Sequence, residues 1–390
     1  MADENRIKET IETFSFPRLS GTEGERKSLQ LAIQKVKELN LTPLTQDFEF
    51  STFFGRMYPK LAFFFGSMTF FLLYLNFVSF IIPVLLIIFG VFLCVLFILA
   101  LHPEAIRLPK KLNSSNLYIK VGNKPNNTKS NKIPEKNILF MCHLDSKGQR
   151  FSILHRIRII RTWVFSGVIV AMIVVLKNLV FILFPVLFYI IGIIPIGLNL
   201  GSMILFLLNS TNNDSIGAID NASGIACVFE ILSHFSNPEF RLKHYNIFFV
   251  FTGAEECGTM GIRNFYQLVK DLDKEETIIF NFDSIAKNTY LFPDKNSSDK
   301  VDTIFRMLTI KSNGLTIKRN PKKLPFGSHS DGYYLKKKGF HGIGFGDLEC
   351  EEYVHSVNDT VDKVDISLLK RLCETIIDNL IAFDDQIKNN

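Results

Sequence analysis

The sequence predicts an α/β protein with a mixed, mostly parallel sheet sandwiched by helices, plus about four transmembrane helices inserted as two hairpins. Two observations support this prediction. Of the 390 residues, 47% are hydrophobic, and the apolar surplus is concentrated in two nearly uncharged blocks. Outside these blocks, short apolar runs alternate with amphipathic stretches, which is typical of strands that alternate with helices.

The first apolar block spans residues 61–101 and contains no charged residue. It is about twice as long as the roughly 20 residues that one helix needs to cross a bilayer core. We therefore expect a helical hairpin over residues 56–104.

The second apolar block spans residues 162–209, and Lys177 and Asn178 form its one strongly polar break. A lysine near a turn can extend its ammonium group to the membrane interface, so the block predicts a second hairpin over residues 159–210. Hydropathy alone leaves open a third helix in this block, with a split near Pro195.

The hairpins divide the rest of the chain into residues 1–55, 105–158 and 211–390, which we expect to form one folded domain.

The basic residues that flank the hairpins all lie on the same side of the predicted membrane segments: Arg56, Lys60, Arg107, Lys110, Lys111, Arg150, Arg156, Arg158 and Arg161. The positive-inside tendency, and equally a simple attraction to anionic headgroups, predicts that this side is cytoplasmic. The charged N-terminal segment has no apolar signal sequence, and the six cysteines show no C-x-x-C spacing, which agrees with a reducing compartment.

The modest net charge of +6 lies mostly near the apolar blocks. That distribution indicates a lipid bilayer as a partner. Nucleic acid is not an expected partner, because the sequence shows no basic face with aromatic or groove-reading motifs. The oligomeric state cannot be predicted from these features.

The secondary structure outside the hairpins follows from hydrophobic periodicity. Apolar runs predict strands at NLYIKV, NILFMCHLD, NIFFVFTG, TIIFNFDS and FHGIGFG. Amphipathic spacing predicts helices over Thr22–Asn40, Gly224–Phe235, Ile262–Leu272 and Asp365–Phe383, and residues 122–136 read as a solvated connection.

Imidazoles and carboxylates follow several of the predicted strands, at the end of an open sheet where ligands bind. These residues are His143 and Asp145 after ILFMC, Glu255 and Glu256 after FFVFTGA, Asp283 after IIFNF, Asp220 in GAIDNASG, and His355 in YVHSVNDTVD. Any one of them alone is more often an ordinary loop residue, but their joint placement predicts a shared site.

A metal site accounts for these residues, because buried charges are costly unless they are paired or bound to a cation. Histidine with carboxylate and without thiolate suits zinc in a hydrolytic site, and manganese or cobalt could substitute. The ligands outnumber those that one tetrahedral zinc uses, so we expect two ions bridged by one carboxylate.

The motifs CHLDS, GAIDNASG, FTGAEECGTMG, NFDS, SHSDGYYLKKKGFHGIGF and VHSVNDTVD occur in that order along the chain. In this order they resemble the successive motifs of the di-zinc aminopeptidases of metallopeptidase family M28, and PRLSGTEGE resembles that family's opening. The resemblance covers roughly residues 8–50 and 114–385, and it leaves the apolar hairpins unexplained. It implies the zinc-peptidase fold for the folded domain.

The resemblance also implies a role for each site residue. Asp220 would bridge two zinc ions, with His143 and Asp283 completing one ion and Glu256 and His355 completing the other.

The same resemblance makes Glu255 the general base, which would take a proton from a metal-bound water, while Asp145 would hold the second ring nitrogen of His143. The function implied is hydrolysis of peptide bonds by a membrane-anchored co-catalytic metallopeptidase, most plainly an aminopeptidase. Carboxypeptidase and dipeptidase activity remain open, because specificity lies in the surrounding loops.

Two other functions remain open at this stage. A glutaminyl cyclase shares the fold but resembles a one-zinc site, and His143 with Asp145 argues for a second metal. An inactive receptor or scaffold would have lost metal ligands or the general base, whereas these positions hold competent residues.

The second hairpin lies between Asp145 and Asp220, so this part of the chain must cross the membrane an even number of times. We therefore expect a cleft near the bilayer surface and membrane-associated peptides as substrates.

Overall fold

The computed structural model describes residues 2–75, 81–122, 136–177, 184–293, 299–310, 315, 317–319 and 330–387. The chain divides into two compact units. The sheet unit contains Met1–Phe50, Leu112–Gly148 and Asn212–Asn390, and the helical unit contains Ser51–Lys111 and Gln149–Thr211. Residues 76–80, 123–135 and 178–183, where we predicted the hairpin turns and most of one connection, lie outside the described residues.

The strands of the described residues are β1 (Leu44–Ser51), β2 (Lys111–Val121), β3 (Lys136–His143), β4 (Gly148–Gln149), β5 (Thr211–Asn212), β6 (Tyr245–Thr252), β7 (Thr277–Phe282), β8 (Thr289–Pro293), β9 (Ile317–Arg319) and β10 (His341–Gly346). The α-helices are α1 (Glu4–Phe14), α2 (Glu23–Glu38), α3 (Tyr58–Leu75), α4 (Ile81–Leu101), α5 (Ile153–Leu176), α6 (Pro185–Leu208), α7 (Gly224–Ser236), α8 (Met260–Val269), α9 (Asp299–Ile310), α10 (Asp331–Lys337) and α11 (Ile366–Gln386).

The sheet unit is built on a mixed sheet with the strand order β1-β2-β6-β3-β7-β10-β8-β9. Its centre is parallel, because β3 pairs with β6 and β7, and β10 pairs with β7, all in the same direction. Strands β2 and β8 run antiparallel to their neighbours β6 and β10. The predicted fold class, a mixed and mostly parallel sheet between layers of helices, is confirmed.

Helices cover both faces of this sheet. On one face Leu139 and Met141 of β3 pack in a cluster with residues of α8 and α10. On the other face Phe251 packs against Phe229 of α7, with ring centroids 4.5 Å apart. The central strands read as nearly continuous apolar runs because both of their faces are buried.

The parallel strands bring their carboxyl ends to one edge of the sheet. His143, the last residue of β3, is in register with Thr252, the last residue of β6. Strand β7 runs parallel on the other side of β3 and ends at Phe282, so Asp283 leaves the sheet at the same edge. The stacked rings of Phe140, Phe249 and Phe280 lie beneath this edge and hold the three strands in register.

The helical unit consists of four helices that are long and apolar enough to cross a membrane: Phe53–Leu75, Ile82–Leu101, Ile153–Leu176 and Val186–Leu208. Pro195 lies inside the continuous helix α6, so the alternative of a third helix in the second block is wrong for the described residues. Helix α5 already begins at Ile153, so Arg156, Arg158 and Arg161 belong to the helix, whereas Arg150 precedes it.

Two polar side chains inside the helical unit form hydrogen bonds between helices. Trp163 Nε1 of α5 donates to Ser67 Oγ of α3 at 2.7 Å, and Asn199 Nδ2 of α6 donates to the backbone oxygen of Trp163 at 2.9 Å. Hydrogen bonds between apolar helices are a recognised means of holding them together in hydrocarbon. The outward residues of α4, such as Ile87 and Phe97, are 67% and 66% exposed. An exposed apolar exterior is what a lipid-facing helix requires.

Candidate metal centre

The two ring nitrogens of His143 lie in different surroundings. Nδ1 is 3.1 Å from the backbone oxygen of Asp145, which can only accept, so Nδ1 carries the hydrogen. In the neutral ring, the lone pair is then on Nε2, which lies 3.0 Å from Asp220 Oδ1 and 3.8 Å from Asp283 Oδ1. A lone pair that faces two carboxylates is repulsive, so Nε2 needs either a proton or a metal cation on this side of the ring.

Asp220 supports a cation at this point. Within the part of the chain that the structure describes, its buried Oδ1 has no hydrogen-bond partner, although His143 Nε2 is 3.0 Å away. The ligand atoms of His143, Asp220 and Asp283 all lie within 4.8 Å of one another. Burial and donor chemistry therefore fit a metal ion in this group, which we name group 1.

Asp220 also belongs to a second set of ligands. His355 Nε2 lies 2.9 Å from Glu256 Oε1 and 3.0 Å from Asp220 Oδ2. The ligand atoms of Asp220, Glu256 and His355 again lie within 4.8 Å of one another, and we name this set group 2. Asp220 thus turns one carboxylate oxygen toward each imidazole, which is the arrangement of a bridging ligand.

The charge state of Asp220 agrees with a ligand role. Burial alone would raise the pKa of Asp220, but His143 and His355 outweigh it and hold that pKa well below its usual value. Metal ligands must be deprotonated, so this carboxylate is ready to bind a cation at neutral pH. The carboxylate of Asp359 fixes the backbone that carries Asp220, because it accepts hydrogen bonds from the backbone N–H of Ile219 at 2.6 Å and of Asp220 at 3.3 Å.

Asp145 connects His143 to the two adjacent glutamates. Its Oδ1 accepts from Glu255 N and its Oδ2 accepts from Glu256 N, both at 3.1 Å, and Ser20 Oγ donates to Oδ2 at 2.5 Å. The sequence predicts that Asp145 holds the second ring nitrogen of His143. In the structure its backbone oxygen makes that contact, while carboxylate Oδ1 is 3.5 Å from Nδ1. The carboxylate fixes the glutamate turn instead, because two neighbouring N–H groups point at it.

The adjacent glutamates have opposite proton affinities. Burial, with Glu256 and other nearby carboxylates adding to it, raises the pKa of Glu255 well above its usual value, although His143 lowers it. Burial would raise the pKa of Glu256 too, but His355 and Lys147 outweigh it and bring that pKa to about 2. Neighbouring carboxyl groups with separated pKa values are typical of a proton acceptor beside a permanently charged group.

Sequence reasoning did not identify Glu25 and Lys147, two charged residues that contact the site, whereas Asp331 lies in one of the recognised motifs, SHSDGYYLKKKGFHGIGF. Glu25, only 5% exposed, accepts from the backbone N–H of Ala254 at 2.7 Å and so supports the glutamate turn from α2. Lys147 Nζ lies 2.6 Å from Glu256 Oε2. Asp331 Oδ2 accepts from Thr252 Oγ1 at the end of β6. Glu25 lies in the motif PRLSGTEGE, and Lys147 directly follows the motif CHLDS. Their positions in or next to recognised motifs were therefore a sequence signal that both residues lie near the site.

A cavity of about 160 Å³ lies beside Asp283. Its apolar lining includes Ile279, Phe292 and Phe345, and Gly344 of β10 leaves room for it. The carboxylate of Asp283 is 26% exposed, so this member of group 1 is open to a ligand.

The sequence model of Peptidase family M28 matches residues 195–380. No curated protein matches this sequence. Among solved structures, an aminopeptidase from Aneurinibacillus sp. strain AM-1 is 14% identical, with a TM-score of 0.57, over 97% of this chain and 93% of that chain.

Two further structures show the range of activities on this fold. A glutaminyl cyclase from Fimbriiglobus ruber is 12% identical, with a TM-score of 0.54, over 97% of this chain and 95% of that chain. A zinc aminopeptidase from Bacillus subtilis is 13% identical, with a TM-score of 0.53, over 98% of this chain and 95% of that chain. At such identities the similarity shows the fold, and the activity has to be argued from the site.

We predict that zinc stabilises the chelator-treated protein and that Asp220→Asn removes most of this effect, because Asp220 is common to both groups. Zinc at about 100 times its Kd would stabilise a folded protein by about 2.7 kcal/mol. Melting temperatures in detergent with and without zinc measure the effect. The exposed Asp271 offers a control, and Asp271→Asn should keep the full zinc-dependent shift. A full shift in Asp220→Asn would contradict the assignment of the ligands.

Proposed function

We propose that this chain, whose residues 195–380 match the model of Peptidase family M28, is a membrane-anchored zinc metallopeptidase that hydrolyses peptide bonds, and specifically an aminopeptidase. One observation carries the proposal. Asp220 turns one oxygen toward His143 and the other toward His355, within two ligand groups that share this carboxylate.

In this proposal each group holds one zinc ion, with Asp220 between them. His143 and Asp283 complete the first set of ligands, and Glu256 and His355 complete the second. Bound zinc would supply a coordinated water of lowered pKa and a polarised substrate carbonyl. Asp145 keeps Nε2 of His143 available, since its backbone oxygen binds the hydrogen on Nδ1.

Glu255 is the general base of the proposed reaction. The carboxylate accepts a proton from the attacking water and passes it to the leaving amine. Burial and neighbouring carboxylates raise its proton affinity, which a base working near neutral pH requires. Asp145 fixes its main chain by a 3.1 Å hydrogen bond, so the carboxylate approaches the site from a rigid turn.

The surroundings of Asp283 favour an amino-terminal residue as the substrate. Its carboxylate is partly exposed beside the adjoining cavity, so a peptide whose first side chain enters that cavity would have its first residue next to group 1. The adjoining cavity is lined by Ile279, Phe292 and Phe345, which suits an aliphatic side chain. We therefore propose peptides with an apolar first residue as substrates.

A single-zinc glutaminyl cyclase is the second candidate, because structures of that activity share this fold. It predicts release of ammonia and formation of a blocked N-terminus from a peptide that begins with glutamine. Incubating such a peptide with the zinc-loaded protein distinguishes the two, since a peptidase frees glutamine. An inactive scaffold, the third reading of the sequence, would do neither.

We further propose that the four apolar helices span a membrane and that the sheet unit is cytoplasmic, so that the lipid bilayer is a partner of the chain. Apart from Lys177 at the end of α5, the basic residues of the helical unit lie around the start of α3, after α4 and around the start of α5. The positive-inside tendency assigns such ends to the cytoplasm.

We predict that Glu255→Gln lowers kcat for an aminoacyl chromogenic substrate by at least about 100-fold, because glutamine cannot accept the proton. Zinc content should stay unchanged, since Glu255 belongs to neither group. The measurement is steady-state kinetics together with metal quantification on detergent-purified protein. A rate equal to that of the wild type would remove Glu255 as the base.

We predict that Gly344→Ala reduces the preference for leucyl over alanyl substrates by about tenfold, because an added methyl group occupies the cavity. A Cβ at Gly344 would lie 3.4 Å from the Cβ of Phe292, which the structure can accept. The ratio of the two kcat/KM values reports the change. Gly122→Ala, where a Cβ meets nothing within 4 Å, is the matched control. An unchanged ratio would show that the cavity does not bind the first side chain.

We predict that an epitope at the C-terminus is digested in sealed inside-out vesicles and protected in right-side-out vesicles. An epitope inserted between Leu75 and Ile81, after the first apolar helix, should behave in the opposite way because that connection lies across the bilayer. Immunoblots after limited proteolysis measure both. Protection of the C-terminal epitope in inside-out vesicles would end the cytoplasmic assignment.

A further inference from the structure

Lys147 brings a positive charge to one of the two ligand groups. Its Nζ lies 2.6 Å from Glu256 Oε2, while Glu256 Oε1 lies 2.9 Å from His355 Nε2. The lysine and glutamate side chains are 14% and 5% exposed, so solvent screens the pair only weakly. In the described part of the chain, no lysine or arginine forms an ion pair with Asp220 or Asp283 of group 1.

The main chain on both sides of Lys147 is fixed by close contacts. The buried guanidinium of Arg18 donates to the backbone oxygen of Leu144 at 2.9 Å, and Ser146 N donates to the backbone oxygen of Arg18 at 3.0 Å. On the other side, Gly148 packs closely against residues 212–214, because a Cβ there would lie 1.9 Å from the side-chain Oδ1 of Asn212 and 3.1 Å from the backbone N of Asp214. The lysine is therefore directed toward Glu256 by the fold around it.

An ammonium group opposes a dication in two ways at this position. It binds Glu256 Oε2 and so reduces the negative charge that the carboxylate offers to a metal ion through Oε1, the oxygen that faces His355. It also repels the ion, since two positive charges a few ångströms apart interact strongly where water is scarce. Neither effect reaches group 1 to the same degree, because Lys147 contacts Glu256 and not His143 or Asp283.

We propose that Lys147 makes the two zinc sites unequal, so that group 1 binds its ion tightly and group 2 binds its ion more weakly. This inference rests on the proposed two-zinc function and adds to it the order in which the ions bind. The second zinc becomes the exchangeable one, so activity depends on the concentration of free zinc around the protein.

The test is a zinc titration of metal-free protein in detergent against a competing chelator, with bound zinc counted by mass spectrometry. The wild type should show one tight and one weaker equivalent. Lys147→Met should tighten the weaker step by roughly tenfold or more, the size of effect that residues next to metal ligands have. Lys147→Arg keeps the charge and should resemble the wild type.

Two single-group variants assign the steps. In Asp283→Asn only group 2 remains complete, so adding Lys147→Met should tighten the zinc that still binds. In His355→Ala only group 1 remains complete, and the same addition should have no effect. Lys37→Met removes an exposed lysine of α2 and controls for the loss of net positive charge. Melting temperatures verify that each variant is folded.

The outcomes separate this inference from the proposed function. Two equal zinc equivalents in the wild type, or a weaker step that Lys147→Met leaves unchanged, would overturn the role of Lys147 and leave the peptidase proposal intact. One equivalent in the wild type and two in Lys147→Met would support the inference. A wild-type protein that binds no zinc and hydrolyses no peptide would overturn the proposed function itself.

Discussion

The carboxylate of Asp220 determines how the other side chains of the site are arranged. Its two oxygens face two imidazoles at 3.0 Å, and the remaining carboxylates are distributed around those contacts. Asp359 holds the Asp220 backbone, and Asp145 holds the turn that carries Glu255 and Glu256. A buried concentration of negative charge of this kind is stable only with a compensating cation, so the surrounding hydrogen bonds preserve a geometry that favours cation binding.

The sheet explains why these residues meet. Parallel strands β3, β6 and β7 end at one edge, and the residues that follow them leave in the same direction. Their registers depend on aromatic packing beneath the edge, where Phe140 lies between Phe249 and Phe280. A shift of one residue in β3 would turn His143 to the opposite face, so core packing and site geometry are coupled.

The fold was predictable where one physical signal dominates. The central strands are buried on both faces and therefore appear as apolar runs, and the two long blocks that form most of the four apolar helices are nearly free of charge. Strand β1, with the sequence LTQDFEFS, was missed because it lies at the sheet edge and several of its side chains are exposed. The short strands β8 and β9 and the seven-residue helix α10 have too few residues to show a period.

In the site, the ordered motifs indicated the candidate ligands. Glu25 and Lys147 were not predictable in this way, because in the sequence they resemble ordinary surface charges and only the fold brings them to Ala254 and Glu256.

The apolar helices interrupt the chain of the sheet unit at two points, after Phe50 and after Gly148. A ribosome therefore completes β1 before the first pair of helices and β3 before the second, while β6, β7 and β10 follow both pairs. In the proposed membrane-anchored protein, the central strand β3 therefore remains without its neighbours β6 and β7 until all four apolar segments have been synthesised. Insertion of these segments would then precede completion of the sheet, and a newly made chain that fails to insert would leave the apolar surface of β3 available to chaperones and to degradation.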